Sequence, residues 1–232
     1  MQSKFYLTTA IDYANARPHL GTAYEKIGAD VLSRFHRLVG DDVYFQMGND
    51  EHSANVEKRA RELGLDPKEY CDKMAEAFLG VWRGLQVEPD RFIRTTDSDH
   101  VQTVQALLER MRAKGDIVSG TYQGFYCISC EAYIKEGDLV DGLCPHHKQP
   151  PQRLQEENLF FRLSRYTQRL LEHFREDPSF VLPSSRYNEL LEILERGLED
   201  ISISRKGKGW GIPIPWDPSQ RVYVWVDALI NY

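Results

Sequence analysis

Long apolar runs are missing from this chain. None approaches the ~20 residues that a helix needs to cross a bilayer, so no transmembrane helix is expected. The opening Met1-Gln2-Ser3-Lys4-Phe5 lacks the charged and apolar regions of a secretory signal, and a cytoplasmic address is the expectation. Positive charge is not in excess either: 29 Lys and Arg stand against 35 Asp and Glu, for a net charge of −6. A protein that wraps nucleic acid through phosphates alone is usually basic, so any RNA contacts should be local. There is no internal repeat, no low-complexity segment and no basic tail. Cysteine is scarce, at four residues, and Cys127, Cys130 and Cys144 cluster while Cys71 stands alone on an expected helix. In a cytosolic chain that pattern favours a metal over disulfides and makes Cys71 an ordinary buried thiol. What remains is an ordinary globular composition, 41% hydrophobic and 28% charged over 232 residues, with room for one large domain or two small ones.

Patterning predicts a strand over Lys4 to Ala10 and a helix over Gly21 to Val39. On that helix Ala23, Ile27, Val31, Phe35 and Leu38 share one face, and Gly40 closes it. Asp42 to Met47 reads as a second strand with Gly48-Asn49-Asp50 as the loop at its end. Helices follow at Asn55 to Leu63 and Pro67 to Leu85, then a short strand at Phe92 to Arg94. The next helix, Ser98 to Lys114, turns Val101, Val104, Leu107, Leu108 and Met111 inward. Strand–helix alternation of this kind suggests a parallel sheet with crossover helices. The character changes near Asp116. Tyr122 to Ile128, Ala132 to Leu143 and Asn158 to Arg162 read as short strands and turns, and Ser164 to Phe174 as a helix capped by Ser164. Asn188 to Leu194 is a further helix, and Ile201 to Ser204 and Val222 to Val226 return to strand character. The chain stops at Tyr232 inside what reads as a strand-to-helix unit.

Between the first strand and the first helix lies Tyr13-Ala14-Asn15-Ala16-Arg17-Pro18-His19-Leu20-Gly21-Thr22. Pro18 stiffens this turn, and Gly21 lets a ligand approach the backbone. The helix that follows offers unpaired N–H groups and a positive dipole end to an anion. His19 at its mouth can donate to a phosphate oxygen; it can also simply cap the turn.

Cys127-x-x-Cys130, thirteen residues, then Cys144-x-x-His147 is the strongest purely chemical signal. Two knuckles each present a pair of ligands suited to tetrahedral Zn²⁺. With all four positions filled by protein, the metal should be structural. Binding on the order of 10 kcal/mol would hold a polar segment that has little core of its own. His146 is an alternative to His147, although the matched spacing favours His147.

Three more motifs are expected at strand ends, where open α/β sheets bind ligands. They are Gly48-Asn49-Asp50-Glu51-His52, Ser202-Ile203-Ser204-Arg205 and Tyr223-Val224-Trp225-Val226-Asp227-Ala228. With Pro18-His19-Leu20-Gly21-Thr22 their order and spacing resemble the methionyl-tRNA synthetases, over essentially the whole chain. Thr8-Thr9-Ala10, Phe92-Ile93-Arg94-Thr95-Thr96, Glu157-Asn158-Leu159-Phe160-Phe161 and Trp210-Gly211-Ile212-Pro213 add to the resemblance.

The resemblance implies an α/β fold: the Rossmann-type parallel sheet of a class I synthetase catalytic domain, interrupted by a connective-peptide insertion that carries the zinc knuckle. The first catalytic half would span 1–115, the insertion 116–203 with its knuckle at 127–147, and a truncated second half 204–232. The implied activity is methionine–tRNA ligation: L-methionine is activated by ATP with Mg²⁺ to methionyl-adenylate and passed to tRNA(Met). His19, Gly21 and Thr22 would hold the ATP phosphates. Asp50 would take the substrate ammonium, and Arg205 would pair with or orient Asp50. Ala10, Ile11, Tyr13, His52, Trp225, Ala228 and Tyr232 would surround the methionine, whose sulfur suits aromatic walls. From the residues alone, Asp50 and His52 can also be loop-solvating groups, Arg205 a surface cation, Tyr13 and Trp225 core aromatics, and Asp227 the N-cap of a helix starting at Ala228.

Two departures from the family pattern stand out. Thr22 replaces the usual second histidine of the turn. The Lys-Met-Ser-Lys-Ser loop and the anticodon-binding domain are not in this sequence, so the stretch by itself is expected to be inactive. A competing reading is a non-catalytic, zinc-stabilised RNA-binding or assembly module. The isoleucine, valine and leucine enzymes of the same class carry a much longer editing insertion, for which ~90 residues leave no room.

Overall fold

The first half of the chain alternates strand and helix. β1 (Lys4–Tyr13) and β2 (Asp42–Asp50) pair in parallel, and β2 pairs in parallel with β3 (Arg91–Arg94), in the order β1-β2-β3. The structure, a computed structural model, describes residues 3–207 and 209–232. β2 is the central strand, and its last six residues are all buried, as expected where helices cover both faces of a parallel sheet. β1 is three residues longer than expected because its register shifts between Thr8 and Ile11 and pairing then resumes. β2 likewise runs on through Gly48-Asn49-Asp50, which is strand and not loop. Gly48 is required there: a Cβ would lie 1.9 Å from the Ile93 carbonyl oxygen of β3.

Crossover helices complete this layer: α1 (Leu20–Leu38), α2 (Ala54–Glu62), α3 (Pro67–Gly84) and α4 (Ser98–Ala113). Phe45 and Met47 of β2 pack with Phe78 and Trp82 of α3 and with Val87. Val56 and Ala60 of α2 pack with Ala14, Tyr70 and Cys71. The apolar face of α1 is turned largely outward, with Ala23 packed against the core. Phe35 is 55% and Leu38 86% exposed, and Ile27 and Val31 are exposed too, whereas Lys26, Ala29, Asp30 and Ser33 are buried. The inner residues meet polar backbone at the β1 register shift and in the connection before β3. Asp30 accepts from the Glu88 N–H at 3.0 Å, and Lys26 donates to the Ala10 carbonyl at 2.7 Å.

Past Asp116 the strands become antiparallel. β4 (Ile117–Cys127), β5 (Ala132–Ile134), β6 (Gln152–Phe161) and β7 (Ile201–Ser202) form one sheet in the order β5-β4-β6-β7. A second sheet of β8 (Ser204–Lys206), β9 (Pro213–Ile214) and β10 (Asp217–Val222) follows the order β8-β10-β9. α5 (Thr167–Glu176) and α6 (Ser184–Arg196) pack on each other through Leu171, Phe174 and Leu194. Ser164 does not cap α5. It lies in a preceding 3₁₀ turn and bonds Asp200. Val104 and Leu108 of α4 join Leu159, Ile203, Ile212, Ile214 and Val222 in one core, which ties the parallel layer to both antiparallel sheets. The expected strand Val222 to Val226 ends at Val222. Val224 onward is α7 (Val224–Leu229), so Trp225 is helical and Asp227 is interior to the helix, not its N-cap.

Candidate active site and metal centre

The turn before α1 is a closed capping box. His19 is the N-cap: its Nδ1 accepts from the Gly21 N–H at 3.0 Å, while Thr22 Oγ1 accepts from the His19 N–H at 2.9 Å. Accepting at Nδ1 places the neutral ring's proton on Nε2, so exposed His19 keeps one N–H donor for an anion. Gly21 serves the cap as well as any ligand, because a Cβ would lie 2.9 Å from His19 Cε1. Thr22 also donates to the His19 carbonyl at 2.7 Å, so its hydroxyl is spent within the turn and does not stand in for an imidazole.

Register brings the next groups together. Tyr13 on β1 lies opposite Asp50 at the end of β2. Asp50 is 3% exposed, and its Oδ1 has no hydrogen-bond partner among the described residues. Burial pushes its carboxyl well above the usual range, nearby Asp227 and Glu131 push it further, and the His52 backbone N–H opposes them. A buried carboxylate with an idle oxygen suits an incoming cation. Beside it, Asp227 accepts from two imidazoles, His100 Nε2 at 2.6 Å and His52 Nδ1 at 2.8 Å. Burial alone would raise Asp227, but these two partners outweigh it and hold its carboxyl below the usual range. Ionised Asp227 only accepts, so each facing ring nitrogen carries its proton.

Tyr13 and Trp225 meet edge to face at 6.0 Å, and both line a cavity of about 680 Å³ that reaches the cysteine cluster. Ala228 is buried on α7, one turn of helix beyond Trp225. Ile11 pairs with Gly48 in the sheet, and Ala10 sits at the β1 register shift. Tyr232 is 51% exposed at the surface.

Arg205 departs from expectation. Its guanidinium forms a two-point pair with Glu156, at 3.1 and 3.2 Å, and lies 4.0 Å over the Tyr126 ring. It does not bond Asp50. The pairing of β8 with β10 and the packing of β8 on β6 hold it over the antiparallel sheet instead.

Cys127, Cys130, Cys144 and His147 come together with their ligand atoms all within 4.8 Å of one another. Tetrahedral Zn²⁺ with bonds of about 2.3 Å needs sulfur–sulfur separations of about 3.8 Å. The Cys130–Cys144 sulfurs are 3.5 Å apart, and His147 Nδ1 is 3.0 Å from Cys130 Sγ, so the donor set fits that ion. His147, not His146, completes the group. Backbone N–H groups of His147 and His146 draw the Cys144 thiol down to about 6, toward the thiolate a metal takes. Cys71 is buried, and burial pushes its thiol up to about 12, as for an inert core cysteine.

Four residues near the site were not singled out from the sequence. Lys26 is 0% exposed and bonds the Ala10 carbonyl, Glu25 and Asp12, while Glu25 accepts from the Ala10 N–H at 2.9 Å. Together Glu25 and Lys26 satisfy the backbone groups that the β1 shift leaves out of the ladder. His100 carried no motif; its only signal was a histidine in the first turn of a helix. Glu131 was hidden as the neighbour of a metal ligand.

A family model described as tRNA synthetases class I (M) matches residues 5–155 and 138–232. The methionine–tRNA ligase of Thermotoga maritima is 48% identical over 99% of this chain and 37% of its own length, and that of Streptomyces coelicolor is 43% identical over 98% and 44%. Among solved structures, Mycobacterium tuberculosis methionyl-tRNA synthetase in complex with methionyl-adenylate superposes with a TM-score of 0.94 at 41% identity, covering all of this chain and 46% of that one. The free state of the same enzyme gives 0.78 at 40% identity. The chain thus spans less than half the length of these relatives.

Proposed function

This chain belongs to the class I (M) tRNA synthetases, and on that premise we propose that it is the methionine-activating part of a methionine–tRNA ligase, acting on L-methionine, ATP and tRNA(Met). Residues 1–115 and 204–232 are read as the two portions of the catalytic domain and 116–203 as the insertion between them. The observation that carries the reading is Asp50: a buried carboxylate with an oxygen unpartnered among the described residues, beside the Tyr13–Trp225 pair. The substrate ammonium takes that oxygen, and the thioether lies against the aromatic edges, where sulfur is favourably placed. The methionine carboxylate then attacks the α-phosphorus of ATP, and pyrophosphate leaves. This chemistry needs positioning and charge stabilisation more than covalent help from the protein. His19 Nε2–H and the N-terminus of α1 face the phosphates, and Mg²⁺ accompanies the ATP. His52 and His100, through Asp227, hold α7 and therefore Trp225 against the parallel layer. Zn²⁺ on Cys127, Cys130, Cys144 and His147 is structural, with no open position for substrate.

The test is methionine-dependent exchange of pyrophosphate into ATP by the natural gene product that carries this chain. Exchange should be present in the parent and lost in Asp50→Ala. Full exchange in that variant would overturn the assignment of Asp50. Absence of methionine and ATP binding in the parent would favour the non-catalytic module instead.

A further inference from the structure

We infer that Glu131 is a positioning residue for the methionine pocket, with its backbone carbonyl setting the orientation of Trp225 and Tyr223 and its carboxylate anchoring that carbonyl on the N-terminus of α2. The inference rests on the function proposed above. Glu131 directly follows the metal ligand Cys130 and is almost fully buried. Its φ of +51° is in the left-handed region, where a residue with a Cβ is strained. Such a conformation persists only where its surroundings over-determine it.

Here they do so at both ends of the residue. The carbonyl oxygen accepts from Tyr223 Oη at 2.8 Å and from Trp225 Nε1 at 3.2 Å, using both of its lone pairs. The carboxylate accepts from the Asn55 backbone N–H at 2.7 Å, in the first turn of α2, where free N–H groups and the helix dipole favour an anion. Trp225 in turn sets the edge-to-face contact with Tyr13. An indole with no fixed polar partner can rotate. Tied to Glu131, it presents one defined wall to the cavity that Tyr13, Trp225 and Glu131 share. The residue therefore transmits the position of the cysteine knuckle and of α2 to the substrate wall without touching substrate itself.

Glu131→Ala removes the anchor and lets the carbonyl drift from two donors. The loss should read as roughly a tenfold rise in KM for methionine, about 1.4 kcal/mol. In the natural gene product, pyrophosphate exchange should show that rise with KM for ATP and kcat within about twofold of the parent. Glu131→Gln still accepts from the Asn55 N–H and should restore the parental KM. Glu131→Gly relieves the backbone strain while still lacking the anchor, so it should reproduce the alanine defect, and it serves where alanine compromises folding. Unchanged methionine KM in the folded Ala or Gly variant overturns the inference. So does a defect in Gln equal to that in Ala. A parent that shows no methionine-dependent exchange instead fails the functional reading itself, which keeps the two failures distinct.

Discussion

Replacing Asp50 by Asn separates what this residue does for binding from what it does to stability. The carboxyl is 3% exposed, one oxygen has no partner among the described residues, and Asp227, Glu131 and Glu51 all face it with like charge. The His52 backbone N–H is the opposing contact. A buried acceptor left unsatisfied costs on the order of 1–3 kcal/mol, and more when charged. With the folded pKa raised above that of the unfolded chain, the native state holds a proton that the unfolded state has released. Stability from this group therefore falls as pH rises from about 4 through the folded pKa, then levels off. Asn keeps the shape, removes the charge and offers an amide donor to acidic surroundings. Asp50→Asn should therefore be more stable than the parent by roughly 1–3 kcal/mol at pH 8, with the gain vanishing near pH 4. Denaturant or thermal unfolding across that pH range measures it. Methionine at a hundredfold excess over Kd should stabilise the parent by about 2.7 kcal/mol and the variant hardly at all. An Asn variant no more stable than the parent at pH 8, or a gain independent of pH, would refute the account of Asp50 as an uncompensated buried charge.

Three further expectations concern the sheet and the Cys/His cluster. Gly48→Ala drives a Cβ into the Ile93 carbonyl at the middle of the parallel sheet, so denaturant unfolding should show a loss of about 3 kcal/mol or more; a near-neutral change would mean that β3 yields freely. Cys144→Ser removes one ligand of four, so metal analysis of the purified protein should fall from one zinc per chain to near none. Acidification should likewise release metal from the parent, because the ligands must be deprotonated to bind.

Local signals carried much of the fold into plain view. The parallel sheet was legible from strand–helix alternation, and the Cys/His cluster from ligand spacing, because both signals are written in short stretches of sequence even though the contacts they announce are distant along the chain. α1 was misread because apolar periodicity reports a face without saying what covers it. Its buried side carries Lys26 and Asp30, whose partners are the Ala10 carbonyl at the β1 register shift and the Glu88 N–H in the connection before β3. Arg205 was misassigned for a related reason: Glu156 and Tyr126 reach it only through the register of the antiparallel strands.

The residue pattern by itself determined the turn around Pro18-His19-Leu20-Gly21 between the first strand and the first helix, the paired knuckles, and the second strand that leads to Asp50. Each of these is written in neighbouring residues and their hydrogen-bonding needs. Tertiary structure alone decided which charges are paired. It left Asp50 with an idle oxygen, gave Asp227 to two histidines 175 and 127 residues away, and sent Arg205 to Glu156. Burial and long-range partners fix the energy of a charge, and neither can be computed from a side chain's neighbours in sequence.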